Sequence, residues 1–267
     1  MAQNSESGSL RFSTAAPLSP ETVAPFAADA VEVVVSRLDL EADAFNVLAQ
    51  WLRNDELQRA SRFQFTRDRR RFIVARGCLR QLLAARLGID PQAVELSYGP
   101  NGKPVLAGGS AAMDWRFNIS HSEDVAVFAF CRGREVGVDI EAVHSVKNSD
   151  AIASQFFSPG ELAAYRALAP HEKDIGFFNC WTRKEAFVKA LGGRLDFPLN
   201  EFDVSLSPDE PARIIRVGNI AGDDSEWLVR SFAPMPGYVA AVVVQRSRAA
   251  ANDDAFMKGP ACTLWTH

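Results

Sequence analysis

The sequence predicts an α+β fold of two similar halves, each a small, mostly antiparallel sheet packed on a long helix. The first observation behind this is an internal echo. An arginine-bearing helical stretch leads to Val94-Glu95-Leu96-Ser97 and a hairpin ending Val125-Ala126-Val127-Phe128; a lysine-bearing one leads to Phe202-Asp203-Val204-Ser205 and a hairpin ending Val239-Ala240-Ala241-Val242. The second is the order of elements, helix then hairpin, which places a helix on one face of an antiparallel sheet. The third is composition. With 267 residues, 47% hydrophobic and 23% charged, the chain has ordinary globular usage and is long enough to bury roughly 70–75% of its unfolded surface. Coincidence among common local patterns is the reading that competes with duplication.

Val31–Leu38 is β-branched and bounded by polar sequence, so it predicts a strand. Helical stretches follow at about 42–52 and 55–63, then a longer helix from about Asp68 to Leu87, closed by Gly88 with Pro91 beyond. In it Phe72, Ala75, Leu79, Leu82 and Leu83 make an apolar stripe, with Arg69, Arg70, Arg71, Arg76 and Arg80 on the polar side. Val94–Tyr98 predicts a strand, and Gly99–Pro104 is dense in turn residues. Phe117–Ser120 and Val125–Cys131 predict a strand pair around a polar loop, His121–Asp124, and Val136–Glu141 the next strand. Ser158-Pro159-Gly160-Glu161 has the capping-box form and starts a helix through about Leu168; another spans about Ile175–Leu191. Strands are expected at 202–206, 212–217, 226–232 and 238–245, and the stretch after Arg246 has no clear period.

Several function classes are excluded by composition. A net charge of −4, from 29 basic and 33 acidic residues, gives no global field toward nucleic acid or membrane. Cys78, Cys131, Cys180 and Cys262 show no CxxC spacing and no histidine pairing, so reduced thiols in a cytoplasmic protein are expected. No apolar run approaches the ~18 residues of a membrane span. The first 25 residues, rich in Ser, Ala and Pro, read as a loose tail without a secretion signal.

The residues with chemical potential are few. Asp139 and Glu141 lie two apart on a strand and so share a face, where they repel unless a cation or proton sits between them. Oxygen-only ligands suit Mg²⁺, with a solvated strand end as the bland alternative. Glu185 and Lys189 are four apart on a helix, with Lys184 to one side. An ordinary surface pair is the usual meaning of that spacing, but Phe178, Trp181, Phe187 and Val188 make this helix largely apolar and favour charges aimed into a cleft. Asn118-Ile119-Ser120-His121-Ser122 offers hydroxyls and an imidazole to an anion, or is a solvated hairpin loop. Arg71 and Arg76 reach a phosphate if their helix lines the cleft.

Taken in order, Gly102-Lys103-Pro104, FNISHS at Phe117–Ser122, GVDIE at Gly137–Glu141, FFSPGEL at Phe156–Leu162 and WTRKEAFVKALGGRL at Trp181–Leu195 resemble the 4′-phosphopantetheinyl transferases of the Sfp type, over about residues 55–245. The resemblance implies an α/β pseudo-dimer with coenzyme A in the cleft between halves. It implies transfer of the 4′-phosphopantetheine arm to a serine of an apo acyl or peptidyl carrier protein, releasing adenosine 3′,5′-bisphosphate. It places Mg²⁺ or Mn²⁺ on Asp139, Glu141 and Glu185, and the general base at Glu185, with Glu141 as rival. Lys184 and Lys189 match the phosphate contacts, Lys189 beside the chemistry; Ser120 and His121 match the nucleotide-phosphate loop. Gly102, Lys103 and Pro104 match the adenine-end turn, and Arg71, with Arg76 second, the 3′-phosphate contact. One departure is that Glu56 and Arg59 stand where some relatives carry lysines.

The expected organisation is a flexible tail at 1–25, halves at 26–134 and 135–248, and a C-terminal tail at 249–267. A cytoplasmic monomer is expected, binding neither nucleic acid nor membrane. Competing functions are a metal-dependent hydrolase of coenzyme A or nucleotide pyrophosphates and a non-catalytic coenzyme A or carrier-binding module. The second is disfavoured because Asp139, Glu141, Glu185, Lys184 and Lys189 are all present.

Overall fold

β-branched alternation and 3.6-residue apolar periods translate into strands and helices largely where the sequence puts them. The computed structural model describes residues 31–99, 101–108, 114–193, 197–217, 224–247, 253 and, for the backbone, 261–265. The first half comprises β1 (Glu32–Arg37), α1 (Ala42–Ala49), α2 (Asn54–Ser61), α3 (Thr66–Leu87), β2 (Leu96–Tyr98), β3 (Pro104–Leu106), β4 (Trp115–Ser122) and β5 (Val125–Arg132). The second comprises β6 (Val136–Ala142), α4 (Ser149–Phe156), α5 (Pro159–Ala167), α6 (Lys173–Ala190), β7 (Asp203–Val204), β8 (Ile214–Arg216), β9 (Trp227–Phe232) and β10 (Tyr238–Gln245).

The halves match strand for strand. β1-β5-β4 in one corresponds to β6-β10-β9 in the other, all antiparallel; hairpin β2–β3 corresponds to β7–β8, and α3 to α6. The α+β architecture of two similar halves expected from the sequence is therefore the one observed. α3 buries Val74, Cys78, Leu79, Leu82 and Leu83 against Phe117, Phe128 and Phe130. α6 buries Phe177, Phe178 and Phe187 against Phe202, Trp227 and Val243. A third cluster joins Val33 and Val35 of β1 and Val127 of β5 to Val138 and Ile140 of β6 and Val242 of β10, so the backs of the two sheets share one core. Among the described residues no helix is long and apolar enough to cross a membrane. Cys78, Cys131 and Cys180 are buried and form no disulfide among the described residues, and burial pushes the Cys131 thiol up to about 12.

Two expectations are corrected and one helix is additional. Residues 249–267 are not simply a tail: β11 (Ala261–Trp265) adds to β1 in parallel, making the sheet order β11-β1-β5-β4. His121 and Ser122 belong to β4, paired with Ala126 and Val125, rather than to a loop; only Glu123 and Asp124 turn the hairpin. α4 went unpredicted because Ser149–Phe156 mixes polar and small residues with few apolar anchors. The expected N-terminal tail, Pro100 of the turn, and Arg194 and Leu195 lie outside the described residues.

Gly137 fixes how closely α6 lies on β6. A Cβ there would fall well inside contact distance of the Ala186 carbonyl and the Ala190 amide, with Ala190 Cα at 3.0 Å. These are helix backbone atoms that cannot swing aside. Gly137→Ala is expected to lower stability by about 1–3 kcal/mol through overpacking, read as a lower urea midpoint at unchanged slope. An unchanged midpoint would mean that the helix has room to spare.

Candidate functional site

β4 and β6 meet at the seam between the halves, and alternate side chains of β4 join them. Asn118, Ser120 and Ser122 lie two apart and so project to one side. Asn118 Oδ1 accepts the Val138 N–H at 2.9 Å. Ser120 Oγ donates to Asp139 Oδ1 at 2.8 Å, and Ser122 Oγ to Glu141 Oε2 at 2.8 Å while accepting the Ala142 N–H at 3.1 Å. The intervening Phe117 and Ile119 pack toward α3. FNISHS is thus a polar stitch along β6 with an apolar reverse face.

α6 brings Glu185 and Lys189 to the same seam. Lys189 Nζ donates to Asp139 Oδ1 at 2.6 Å and to Ser120 Oγ at 3.0 Å. Asp139 and Glu185 are buried, at 4% and 6% exposure, and Asp139 Oδ2 and Glu185 Oε1 are enclosed atoms without a hydrogen-bond partner. Burial, then the charges of Asp139 and Glu141, push the Glu185 carboxyl up to about 7, with Lys189 opposing. Burial likewise raises Glu141, countered by Ser122 and reinforced by Asp139. Buried polar atoms are nearly always satisfied in native proteins. Two unpaired carboxylate oxygens beside a third acid therefore mark a place suited to a cation. As arranged here, with Lys189 on Asp139, the described residues contain no group of three or more His, Cys, Asp or Glu able to hold a metal ion.

Other expected contacts are placed differently. His121 is accessible at one edge, and crowding by protein, with Lys189 and Arg71 close by, holds its imidazole below the usual range. Gly102, at φ +77°, makes the tight turn between β2 and β3, and Lys103 crosses the seam: its Nζ donates to the Val136 carbonyl at 3.2 Å and the Lys189 carbonyl at 2.7 Å. Asn101 Nδ2 adds a bond to the Gly192 carbonyl at 2.7 Å. Beside this turn lies a cavity of about 770 Å³ lined by Lys103, Pro104, Trp115, Arg116, Glu135 and Trp227 among others; none of Asp139, Glu141 and Glu185 lines it.

Three of the expected cations are engaged by protein groups. Lys184 does not face the cleft: it is fully buried in the second half, bonded to the Leu199 and Phe202 carbonyls and paired with Glu161 at 2.8 Å. Arg71 is engaged by the β4–β5 turn, donating to Asp124 at 2.8 Å and Glu123 at 3.0 Å. Arg76 is buried over the Phe72 and Tyr98 rings and 3.5 Å from Glu56, and burial lowers its pKa. Glu56 itself is interior, capping α2 through the Arg53 N–H and pairing with Arg80 at 2.7 Å, so it does not occupy a ligand-facing lysine position. Asn118 and Ser122, read from the sequence only as members of an anion-contacting segment, have a role across the seam that the sequence reading missed. The signal for them was present in the every-other-residue polarity of 118, 120 and 122.

Comparison with known proteins gives one consistent answer. Residues 135–243 match the family model described as the 4′-phosphopantetheinyl transferase superfamily, and residues 40–132 the one described as 4′-phosphopantetheinyl transferase, N-terminal. The chain is 36% identical over 207 residues to the 4′-phosphopantetheinyl transferase HetI of Nostoc sp., covering 78% of this chain and 84% of that one. It is 32% identical over 180 residues to a putative 4′-phosphopantetheinyl transferase of Synechocystis sp., covering 67% and 71%. A 4′-phosphopantetheinyl transferase of Bacillus subtilis is 32% identical over 155 residues, covering 58% and 66%.

The raised Glu185 carboxyl has a measurable consequence. Its folded pKa, about 7, lies above the ordinary 4.5, so between those values the folded chain holds a proton that the unfolded chain releases. Wild-type stability therefore falls as pH rises through that window. In chelator, Glu185→Gln is expected to gain about 1–3 kcal/mol on wild type from pH 4.5 to 7, levelling off above. Parallel urea curves across that range would contradict the assignment.

Proposed function

The chain belongs to the 4′-phosphopantetheinyl transferase superfamily, and from that premise we propose that it transfers the 4′-phosphopantetheine arm of coenzyme A to a serine of an apo carrier protein, in the manner of the Sfp type. The observation that carries the proposal is the seam cluster: Asp139 and Glu185 with an unpaired buried oxygen each, Glu141 beside them, and Lys189 at 2.6 Å from Asp139. Asp139, Glu141 and Glu185 would hold Mg²⁺, which supplies charge neutralisation for the pyrophosphate and the departing phosphate. The donor set, carboxylates alone, is the chemistry a hard cation takes.

The chain's own residues carry the remaining work. Lys189, on the edge of the acid cluster, is placed to exchange its carboxylate contact for a phosphate oxygen as negative charge develops on the leaving group. Glu185 serves as the proton acceptor for the carrier serine, because one of its carboxylate oxygens has no partner within the chain. Glu141, tied to Ser122, is less free for that part. Serine oxygen forms a bond to the phosphorus carrying the pantetheine arm, and the P–O bond to adenosine 3′,5′-bisphosphate breaks. His121 and the Lys103 turn border the nucleotide end; Lys103 acts through its clasp on Val136 and Lys189 as much as through direct contact.

We further read residues 26–134 and 135–248 as the two structural halves, and the enzyme as a cytoplasmic monomer, since internal duplication makes within one chain the cleft that a dimer would otherwise supply. The hydrolytic alternative finds no support in the comparisons: the two family models and the three relatives named above are described as phosphopantetheinyl transferases.

Incubation with coenzyme A, Mg²⁺ and an apo acyl or peptidyl carrier domain is expected to add the phosphopantetheine mass to the carrier. Asp139→Ala and Glu185→Ala are each expected to slow transfer by about 10²-fold or more while remaining folded. Coenzyme A breakdown without carrier modification would replace this function with hydrolysis.

A further inference from the structure

Ser158-Pro159-Gly160-Glu161 and Lys184 lie away from the seam, yet they hold each other in the interior of the second half. Ser158 caps α5, accepting the Glu161 N–H at 3.1 Å, and the Ser158 N–H donates back to Glu161 Oε2 at 2.8 Å. Glu161 Oε1 accepts the Val204 N–H at 2.7 Å, and Oε2 also accepts Lys184 Nζ at 2.8 Å. Lys184 completes its donors with the Leu199 carbonyl at 2.6 Å and the Phe202 carbonyl at 2.7 Å, and lies 4.1 Å from the Phe202 ring centre. All three ammonium donors are used, and both carboxylate oxygens are occupied.

Lys184 and Glu185 are consecutive on α6, so their side chains diverge by about 100° around the helix axis. Whatever fixes the direction of Lys184 also fixes that of Glu185. The other buried contacts of α6 are largely apolar, Phe177, Phe178, Phe187 and Val188 among them, with two further polar anchors, Arg183 on Ser205 and Ser231 and Asn179 on the Leu206 carbonyl. Rings pack well at a range of small rotations, whereas a lysine tied to three acceptors does not. A buried ion pair contributes little net stability against an apolar replacement, and its best use is to specify one arrangement. We propose that Glu161 and Lys184 are positioning residues for the transfer reaction: their buried pair, beside the Arg183 anchor on Ser205, fixes the rotation of α6 and so holds Glu185 against β6. The proposal rests on the reading of Glu185 as a site carboxylate. It separates Lys184 from the phosphate-binding role that its place in the WTRKEA stretch implied.

The test uses the full chain with coenzyme A, Mg²⁺ and an apo carrier domain, comparing wild type with Glu161→Gln/Lys184→Met. In this double variant the amide oxygen keeps one of the two backbone N–H bonds of Glu161 and the buried volume is roughly kept. A circular-dichroism melt checks folding. The expected result is kcat lower by about tenfold or more, KM for coenzyme A within about twofold, and weaker Mn²⁺ binding measured by paramagnetic resonance without coenzyme A or carrier. Wild-type kcat and Mn²⁺ affinity in a folded double variant would overturn the proposal. So would a raised KM with unchanged kcat, which would return Lys184 to the phosphates. If the double variant fails to fold, Glu161→Asp decides: a carboxylate shorter by one methylene should give the same split between kcat and KM, and an unchanged kcat in a folded protein would overturn the proposal. Failure of the wild type itself to modify the carrier is a separate result, bearing on the family reaction alone.

Discussion

The meeting of β4 and β6 is the constraint on which the rest of the molecule depends. Two sheets are joined there by side chains standing in for a ladder, with Asn118, Ser120 and Ser122 each reaching a different point along β6. A one-residue slip of β4 would turn Phe117 and Ile119 into the seam and these polar groups into the first core, so the register is enforced from both faces. Because the stitch ends on Asp139 and Glu141, the interaction that joins the halves also orients the acids. Assembly of the fold and assembly of the site are one event.

Electrostatics in the seam follow from the same arrangement. The carboxylates of Asp139, Glu141 and Glu185 influence one another across the seam, and Lys189 pairs with Asp139 of the three. Part of the residual repulsion is relieved by the raised affinity of Glu185 for a proton. Gly137 lets α6 approach closely enough for this crowding to occur, and the Lys103 and Asn101 bonds to the Lys189 and Gly192 carbonyls tie down the end of the same helix. The site is held from below by a missing side chain and from its flank by a turn of the other half.

Much of this was legible in the sequence because it rests on periodicity. The 3.6-residue stripe of α3, the β-branched runs of β1, β5 and β10, and the capping box of α5 all reappear as read. The two-half architecture was visible as matched strings ahead of matched hairpins. What sequence could not show was which neighbour a charged side chain meets. Arg71, Arg76 and Lys184 sit on helices as expected, but Asp124, Glu56 and Glu161, distant in sequence, claim their charges. His121 and Ser122 read as hairpin loop because the alternation that begins at Phe117 is too short to show that the strand runs on to Ser122. β11 escaped notice because a short edge strand needs no alternation of its own when its partner β1 supplies the template.

That last strand has a consequence for how the protein is made. β1 is among the first described segments to leave the ribosome, and its neighbour on one side, β11, among the last. Throughout synthesis of the second half, β1 offers an unpaired edge, the kind of surface that recruits strands from other chains. Closure of the earlier half thus waits until Ala261–Trp265 has been made, and the nascent chain stays vulnerable to intermolecular pairing until then.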